Sequence, residues 1–253
     1  MSELFRLDGR VAFVSGAAGH LGRAMTRVLC EAGAHVILNG RDRDRLKAFA
    51  SEMSGFSVEC AAFDMTDIAR VREFFAGRER LDVLVNNAVS MSVKPFAALE
   101  PSDFEQTYAS AVTAAFEAVR AARPALKASG RGSVVNIASM YGAVSPDARI
   151  YASPDRQSPF HYGPAKAALL QLTRHLAAEL GPEGIRVNAL VPGPFPRREA
   201  VSSDFAARLA SKTMLGRTGT ADEIGGPLLF LASGASSYVT GAALAVDGGW
   251  TAW

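Results

Sequence analysis

Short apolar runs alternate with helical patterns from one end of the chain to the other. The runs are "VAFVS" from Val11, "HVILN" from His35, "VECAAF" from Val58, "LDVLV" from Leu81, "SVVNIA" from Ser133, "RVNALV" from Arg186 and "ALAV" from Ala243. Rich in Val and Ile, most are too continuous in apolarity for a sheet with one wet face. Between them, Leu21, Ala24, Met25, Val28, Leu29 and Ala32 make one apolar helical stripe, with Arg23, Arg27 and Glu31 opposite. Longer helical stretches cover roughly Ser102–Lys127, Tyr162–Leu180 and Asp222–Ala232.

Strand–helix alternation predicts an α/β fold: a doubly wound parallel seven-stranded sheet with helices on both faces and right-handed crossovers. No linker, repeat or composition shift divides residues 1–253, so one domain is expected. The long helix-free stretch runs from Gly142 to His161, and loops of that length in a compact domain are usually functional or disordered. Composition adds exclusions. Hydrophobic residues make up 49% and charged residues 21%, with a net charge of +2, too small an excess to suggest nucleic acid or an anionic membrane. There is no secretory leader pattern and no apolar run of membrane-spanning length. Cys30 and Cys60 form no disulfide framework, and the four histidines are scattered without HExxH, so no metal site is expected. A soluble cytoplasmic protein is the reading.

The first strand runs into "SGAAGHLGRAM", which places Gly16, Gly19 and Gly22 in a strand-to-helix turn. There, backbone N–H groups and the helix dipole can receive a phosphate. The second strand ends in "LNGRDRDRL". Where dinucleotide folds commonly carry a carboxylate for the ribose hydroxyls, this chain has Asn39 and Gly40, followed by Arg41. A guanidinium suits a 2′-phosphate, which favours NADP(H) over NAD(H), although "RDRDR" also reads as a solvated helix start. "HYGPAKAALL" sets Tyr162 and Lys166 four residues apart on the opening turn of a helix, so both can face one way. A free tyrosine titrates near 10; an ammonium within about 4–6 Å lowers that value and makes the phenol a usable acid–base group.

With these landmarks in place, the chain resembles the classical short-chain dehydrogenase/reductase family over nearly its whole length. "SGAAGHLG" resembles the family's glycine-rich turn, "FDM" at Phe63–Met65 its adenine contact, and "VNNAV" at Val85–Val89 its strand-four motif. "VVNIASMYG" carries its serine at Ser139, "YGPAK" is its Tyr-x-x-x-Lys, and "RVNALVPGP" and "YVTGAALAVDGGW" match its last two strands. The resemblance implies Ser139, Tyr162 and Lys166 as catalytic residues, with Ser139 bonding the substrate oxygen and Lys166 also holding the nicotinamide ribose. It implies cofactor contacts from Gly16, His20, Leu21, Gly22, Arg41, Asp64, Met65, Asn87, Ala88, Tyr162, Lys166, Pro192, Gly193 and Phe195. It also implies substrate loops at about 142–161 and 193–215, and a homotetramer, or a homodimer, packed through helices 102–127 and 162–180.

Four positions depart from the pattern. His20 replaces the middle glycine of the turn, where it can crowd a pyrophosphate or donate to it. Val89 replaces the glycine ending "NNAG", and Arg197 a threonine near the carboxamide. Ala111 replaces an asparagine that supports a water-linked proton relay from the lysine. Either the relay is weakened or moves to Ser110 or Thr113, so that Ala111→Asn raises turnover, or the helix has repacked around alanine and the amide strains it. Ser139 and Tyr162 lie farther apart than usual, and the intervening segment resembles an insertion found in a subset acting on sugars or sugar acids. Arg149, Arg156, Arg197 and Arg198 lie on segments expected to border the substrate, where arginines grip carboxylates, though loop arginines also simply solvate a surface. The leading reading is an NADP(H)-dependent oxidoreductase interconverting a secondary alcohol and a ketone, on a sugar, sugar acid or other polar substrate. The alternatives are a 3-oxoacyl thioester reductase and a cofactor-binding protein with weak catalysis.

Overall fold

The computed structural model describes residues 2–153, 156–197, 199 and 201–253. Seven parallel strands form one sheet in the order β3-β2-β1-β4-β5-β6-β7. They are β1 (Val11–Ser15), β2 (His35–Gly40), β3 (Val58–Ala62), β4 (Val83–Asn86), β5 (Ser133–Ile137), β6 (Arg186–Pro192) and β7 (Ala243–Val246). Alternate residues of the central strands feed two cores. Ala12 and Val14, Val36 and Leu38, and Val83 and Val85 pack with α1 (His20–Glu31), α2 (Arg43–Glu52) and α8 (Gly225–Ala232). Phe13, Ile37 and Leu84 pack on the other face with α3 (Ile68–Ala76), α5 (Ala114–Ala128) and α6 (Tyr162–Leu180). Burial on both faces explains the unbroken apolarity of β1, β2 and β4–β6, while the edge strands β3 and β7 are partly exposed.

The long stretch read as one helix over 102–127 is interrupted. α4 (Pro101–Tyr108) leads into a π-helical turn at Ala109–Thr113, and α5 follows. Such bulges occur mostly at functional sites, and this one holds Ala111. The helices α2, α3 and α7 (Ser203–Ala210) are short. Asp42 and Asp67 cap the first two by accepting from backbone N–H groups, and Ser202 does the same for the third. Within 142–161 a 3₁₀ turn forms at Ala148–Ile150. The strand order reverses between β1 and β4, and crevices at such a switch point, outside the carboxyl ends of the strands, are where open α/β sheets bind ligands.

Candidate active site

Ser15, at the end of β1, organises the switch point. Its hydroxyl donates to the Val85 carbonyl at 3.2 Å and accepts from the N–H groups of Asn87 and Ala88 at 2.9 and 3.0 Å. The Asn87 amide donates to the carbonyls of Ser15 and Gly16 at 2.9 and 3.2 Å. Gly16 has φ +66°, a conformation side chains resist, and a Cβ at Gly22 would run into the Gly16 carbonyl oxygen. The turn is therefore backbone-thin, with the N-terminus of α1 behind it, and it fits a dinucleotide pyrophosphate. Leu21 turns its side chain into the core, so only its backbone faces the turn.

The His20 ring reaches across to another loop. Its Nε2 donates to the Phe195 carbonyl at 3.0 Å and joins the glycine turn to the loop after β6, the strand that Pro192 ends. That loop is itself pinned, since Gly193 donates to the Val246 carbonyl at 3.0 Å.

At the tip of β2, the Asn39 amide donates to the Ala61 and Phe63 carbonyls at 3.0 and 3.2 Å. Its buried Oδ1 has no partner among the described residues, an orphan acceptor that a ribose hydroxyl could satisfy. Arg41 is largely exposed and sits 3.7 Å from Asp64, which its neighbour Thr66 holds in a turn. Met65 is buried in the lower core. Sequence reasoning missed Arg45, whose guanidinium donates to the Ala18 carbonyl at 2.9 Å and so brings a second cation to the phosphate turn. Its signal was present in "RDRDR", but the helix start that orients it comes from the Asp42 cap.

Ser139 follows β5 and is 7% exposed; its Oγ accepts from the Tyr141 N–H at 3.2 Å and opens a 3₁₀ turn, Met140–Gly142. A Cβ on Gly142 would sit 2.8 Å from the Lys166 backbone, so this glycine lets the Ser139 turn lie directly on α6. Tyr162 is the first residue of α6. Lys166, one turn on and 3% exposed, has its Nζ 5.6 Å from the Tyr162 ring centre and 2.6 Å from the Ile137 carbonyl, to which it donates. Burial pulls the Lys166 ammonium down to about 8. The expected lowering of the Tyr162 phenol is not found: burial pushes it up, against the smaller downward effect of the Ser139 hydrogen bond. The ammonium donates to the Ile137 carbonyl, and desolvation of the phenolate dominates.

Ala111 is 3% exposed and packs in a small cluster with Val112 and Ala165, against which Val89 rests. Beside it a cavity of about 10 Å³, bordered by Asn86, Ser110 and Lys166, is near the smallest space that holds a water. Ser110 is committed elsewhere, its one proton shared between the Ser90 and Thr107 carbonyls while its oxygen accepts from the Ser90 N–H.

The loop arginines that are described face solvent or a neighbouring carboxylate. Arg149 is 84% exposed and forks onto its near neighbour Asp147 with two 2.8 Å bonds. Arg156 and Arg197 are exposed, and Arg198 lies outside the described residues. What stands beside Ser139 instead is an aromatic wall. Tyr141 and Tyr151 pair through their hydroxyls at 2.7 Å, Trp250 meets Tyr141 edge-on at 6.4 Å, and Phe205 packs on Tyr151 at 5.7 Å. Arg208 of α7 donates to the Ile150 carbonyl at 2.7 Å, joining α7 to the 142–161 loop.

Comparison with known proteins agrees with this arrangement. Residues 16–251 match the family described as Enoyl-(Acyl carrier protein) reductase. Gluconate 5-dehydrogenase of Gluconobacter oxydans is 34% identical, over 98% of this chain and 97% of its own. Galactitol 2-dehydrogenase (L-tagatose-forming) of Cereibacter sphaeroides is 35% identical over 99% and 98%. The crystal structure of a gluconate 5-dehydrogenase from Burkholderia cenocepacia, in complex with NADP and tartrate, superposes with a TM-score of 0.86. It is 33% identical and covers 99% of this chain and 98% of that one. The fold and the site define a nicotinamide-dependent oxidoreductase. The chain belongs to the short-chain dehydrogenase/reductase family.

Ala111→Asn is expected to strain the packed π turn rather than to restore a relay, since the cavity has no room for a carboxamide. It should cost about 1–3 kcal/mol, read by urea unfolding, and lower turnover as well. Lys166 gives a pH signature. Between its folded value, about 8, and its ordinary 10.5, the unfolded chain holds a proton that the folded chain has released. Stability therefore rises with pH through that window. Wild type should gain about 1–2 kcal/mol over Lys166→Met between pH 8 and 9.5, at 1.36 kcal/mol per pKa unit; parallel stability curves would contradict the buried ammonium.

Proposed function

We propose that this chain is an NADP(H)-dependent dehydrogenase of a polyol or sugar acid, interconverting a secondary alcohol and a ketone. The observation that carries the reading is the meeting of Ser139, Tyr162 and Lys166 at the carboxyl end of β5, two strands from the glycine turn. Bound NADPH would supply the hydride, held by the glycine turn, the Asn87–Ala88 backbone and the loop from Pro192 to Phe195. In the reducing direction Ser139 donates a hydrogen bond to the carbonyl oxygen and Tyr162 delivers the proton to it. Lys166, cationic at neutral pH, stabilises the phenolate left behind. In the oxidising direction the same phenolate takes the alcohol proton.

The polyol and sugar-acid assignment draws on the names of the relatives and on the pair of tyrosine hydroxyls beside Ser139. The long polar 142–161 loop, bonded to α7 through Arg208, makes a narrow channel for an acyl carrier chain less attractive and so disfavours the 3-oxoacyl thioester alternative. Retention of Ser139 together with Tyr162 and Lys166 disfavours a purely cofactor-binding role. A homotetramer or homodimer is supported by Phe104, Tyr108 and Phe116, all exposed along α4 and α5. A cytoplasmic setting is supported by the two unpaired cysteines, and no helix among the described residues is long and apolar enough to cross a membrane.

A panel of polyols, sugar acids and 3-oxoacyl esters, followed by nicotinamide absorbance with both cofactors, tests the reading; turnover confined to the acyl esters would reject it. Tyr162→Phe should lower kcat about 10²–10⁴-fold and leave NADPH binding within about twofold. Arg41→Ala should weaken NADPH about tenfold or more, for loss of a charge-assisted contact of roughly 1.5–3 kcal/mol, while NADH titrates as in wild type. Equal loss for both cofactors would remove Arg41 from the 2′-phosphate site.

A further inference from the structure

His161, immediately before Tyr162, is 1% exposed and uses both ring nitrogens. Nε2 lies 3.1 Å from the Ser92 carbonyl oxygen, and Nδ1 lies 2.8 Å from Thr107 Oγ1. A carbonyl only accepts, so Nε2 carries a proton and donates. In the neutral ring Nδ1 then accepts from the Thr107 hydroxyl. In the charged ring Nδ1 donates to Thr107, whose own proton turns to the Ser90 carbonyl 3.3 Å away. The hydroxyl rotor thus satisfies both protonation states in one geometry. Phe104 closes the pocket edge-on at 5.8 Å.

His161 also occupies the N-cap position of α6 and makes no side-chain cap. Helix starts are usually fixed by a cap that binds their free N–H groups, and here the cap residue spends its side chain elsewhere. The helix whose first residue is Tyr162 is therefore held at its start from outside, by Ser92 and Thr107. Ser92 belongs to the loop after β4. That loop begins at Asn87 and Ala88 on Ser15, and its other polar anchors run to α4 and the π turn. Ser90 bonds Ser110, the Ser92 hydroxyl donates to Asp103 at 2.7 Å, and Lys94 pairs with Asp103. The polar link from this loop to α6 is His161.

We propose that His161 is a positioning residue that ties the loop after β4 to the first turn of α6, holding the Tyr162 phenol in register with the cofactor cleft. The inference rests on Tyr162 as the acid–base group. The loop and the phenol approach the crevice from different elements, α6 carries no cap, and the imidazole is the buried group that bonds across the gap.

Hydrogen exchange and kinetics test it together. His161→Phe keeps a buried ring and removes both bonds. It should raise amide exchange about tenfold in peptides covering 90–95 and 161–168 alike. It should also lower kcat about tenfold on D-gluconate with NADP⁺, with KM and NADPH affinity within twofold. His161→Gln, whose amide nitrogen can reach the Ser92 carbonyl, should recover most of both. Should His161→Phe fail to fold, Thr107→Val removes the Nδ1 bond together with the Thr107–Ser90 contact, leaves Nε2 on Ser92, and should loosen the same two segments. Exchange that rises in one segment only, or kcat within twofold of wild type, overturns the proposal, as does a Gln variant no better than Phe. A wild type inert toward D-gluconate but active on another panel substrate corrects the substrate reading alone. The exchange measurement judges His161 in every case.

Discussion

A buried ammonium with one carbonyl partner sets the terms for this structure. Lys166 lies inside the protein against the Ile137 carbonyl, at the point where β5 ends. An isolated buried charge is costly, so the chain meets that cost by bringing the strand end, the Ser139 turn and the first turn of α6 into contact around it. Gly142 permits that contact, because any side chain there would push the Ser139 turn off the helix. The same enclosure raises the Tyr162 phenol and lowers the lysine. The phenol and the ammonium, nearly equal in proton affinity in water, are thereby moved apart, the phenol upward and the lysine downward.

Around that centre the cofactor side and the substrate side are built from different materials. The cofactor side is made of backbone held by small polar groups: Ser15 joins β1 to the loop after β4, Asn87 joins that loop to the glycine turn, and His20 joins the turn to Phe195. Peptide groups held this way present N–H donors at close range, which suits phosphate and carboxamide. The substrate side is made of aromatic rings around two hydroxyls, with the 142–161 loop docked on α7 through Arg208 and Phe205. Its polar character comes from neutral O–H groups rather than from the loop arginines, one of which is already neutralised by Asp147.

Much of the fold and the three central side chains were legible in the amino-acid order because their causes are local. Strand and helix periods follow from which side chains face a core. The glycine turn follows from φ and close approach, and the Tyr162–Lys166 pairing follows from helical spacing. Where distant segments decide, the order of residues left alternatives open or was silent. Ala111 reads either as a gap in a relay or as a repacked helix, and the contacts of Val112 and Ala165 around it come from the fold. Arg149 reads either as a substrate grip or as a solvated loop arginine, and it is turned to its near neighbour Asp147.

Residue order by itself thus determined the parallel α/β architecture, the glycine turn after β1 and the one-turn spacing of Tyr162 and Lys166, since each depends on neighbours within a few residues. Only the tertiary structure decided the direction in which the Tyr162 phenol shifts, the crossing of His20 to Phe195 and the seating of His161 on Ser92 and Thr107. Those outcomes depend on burial and on partners 54 to 175 positions away, and desolvation and long-range hydrogen bonds leave no periodic mark on a sequence.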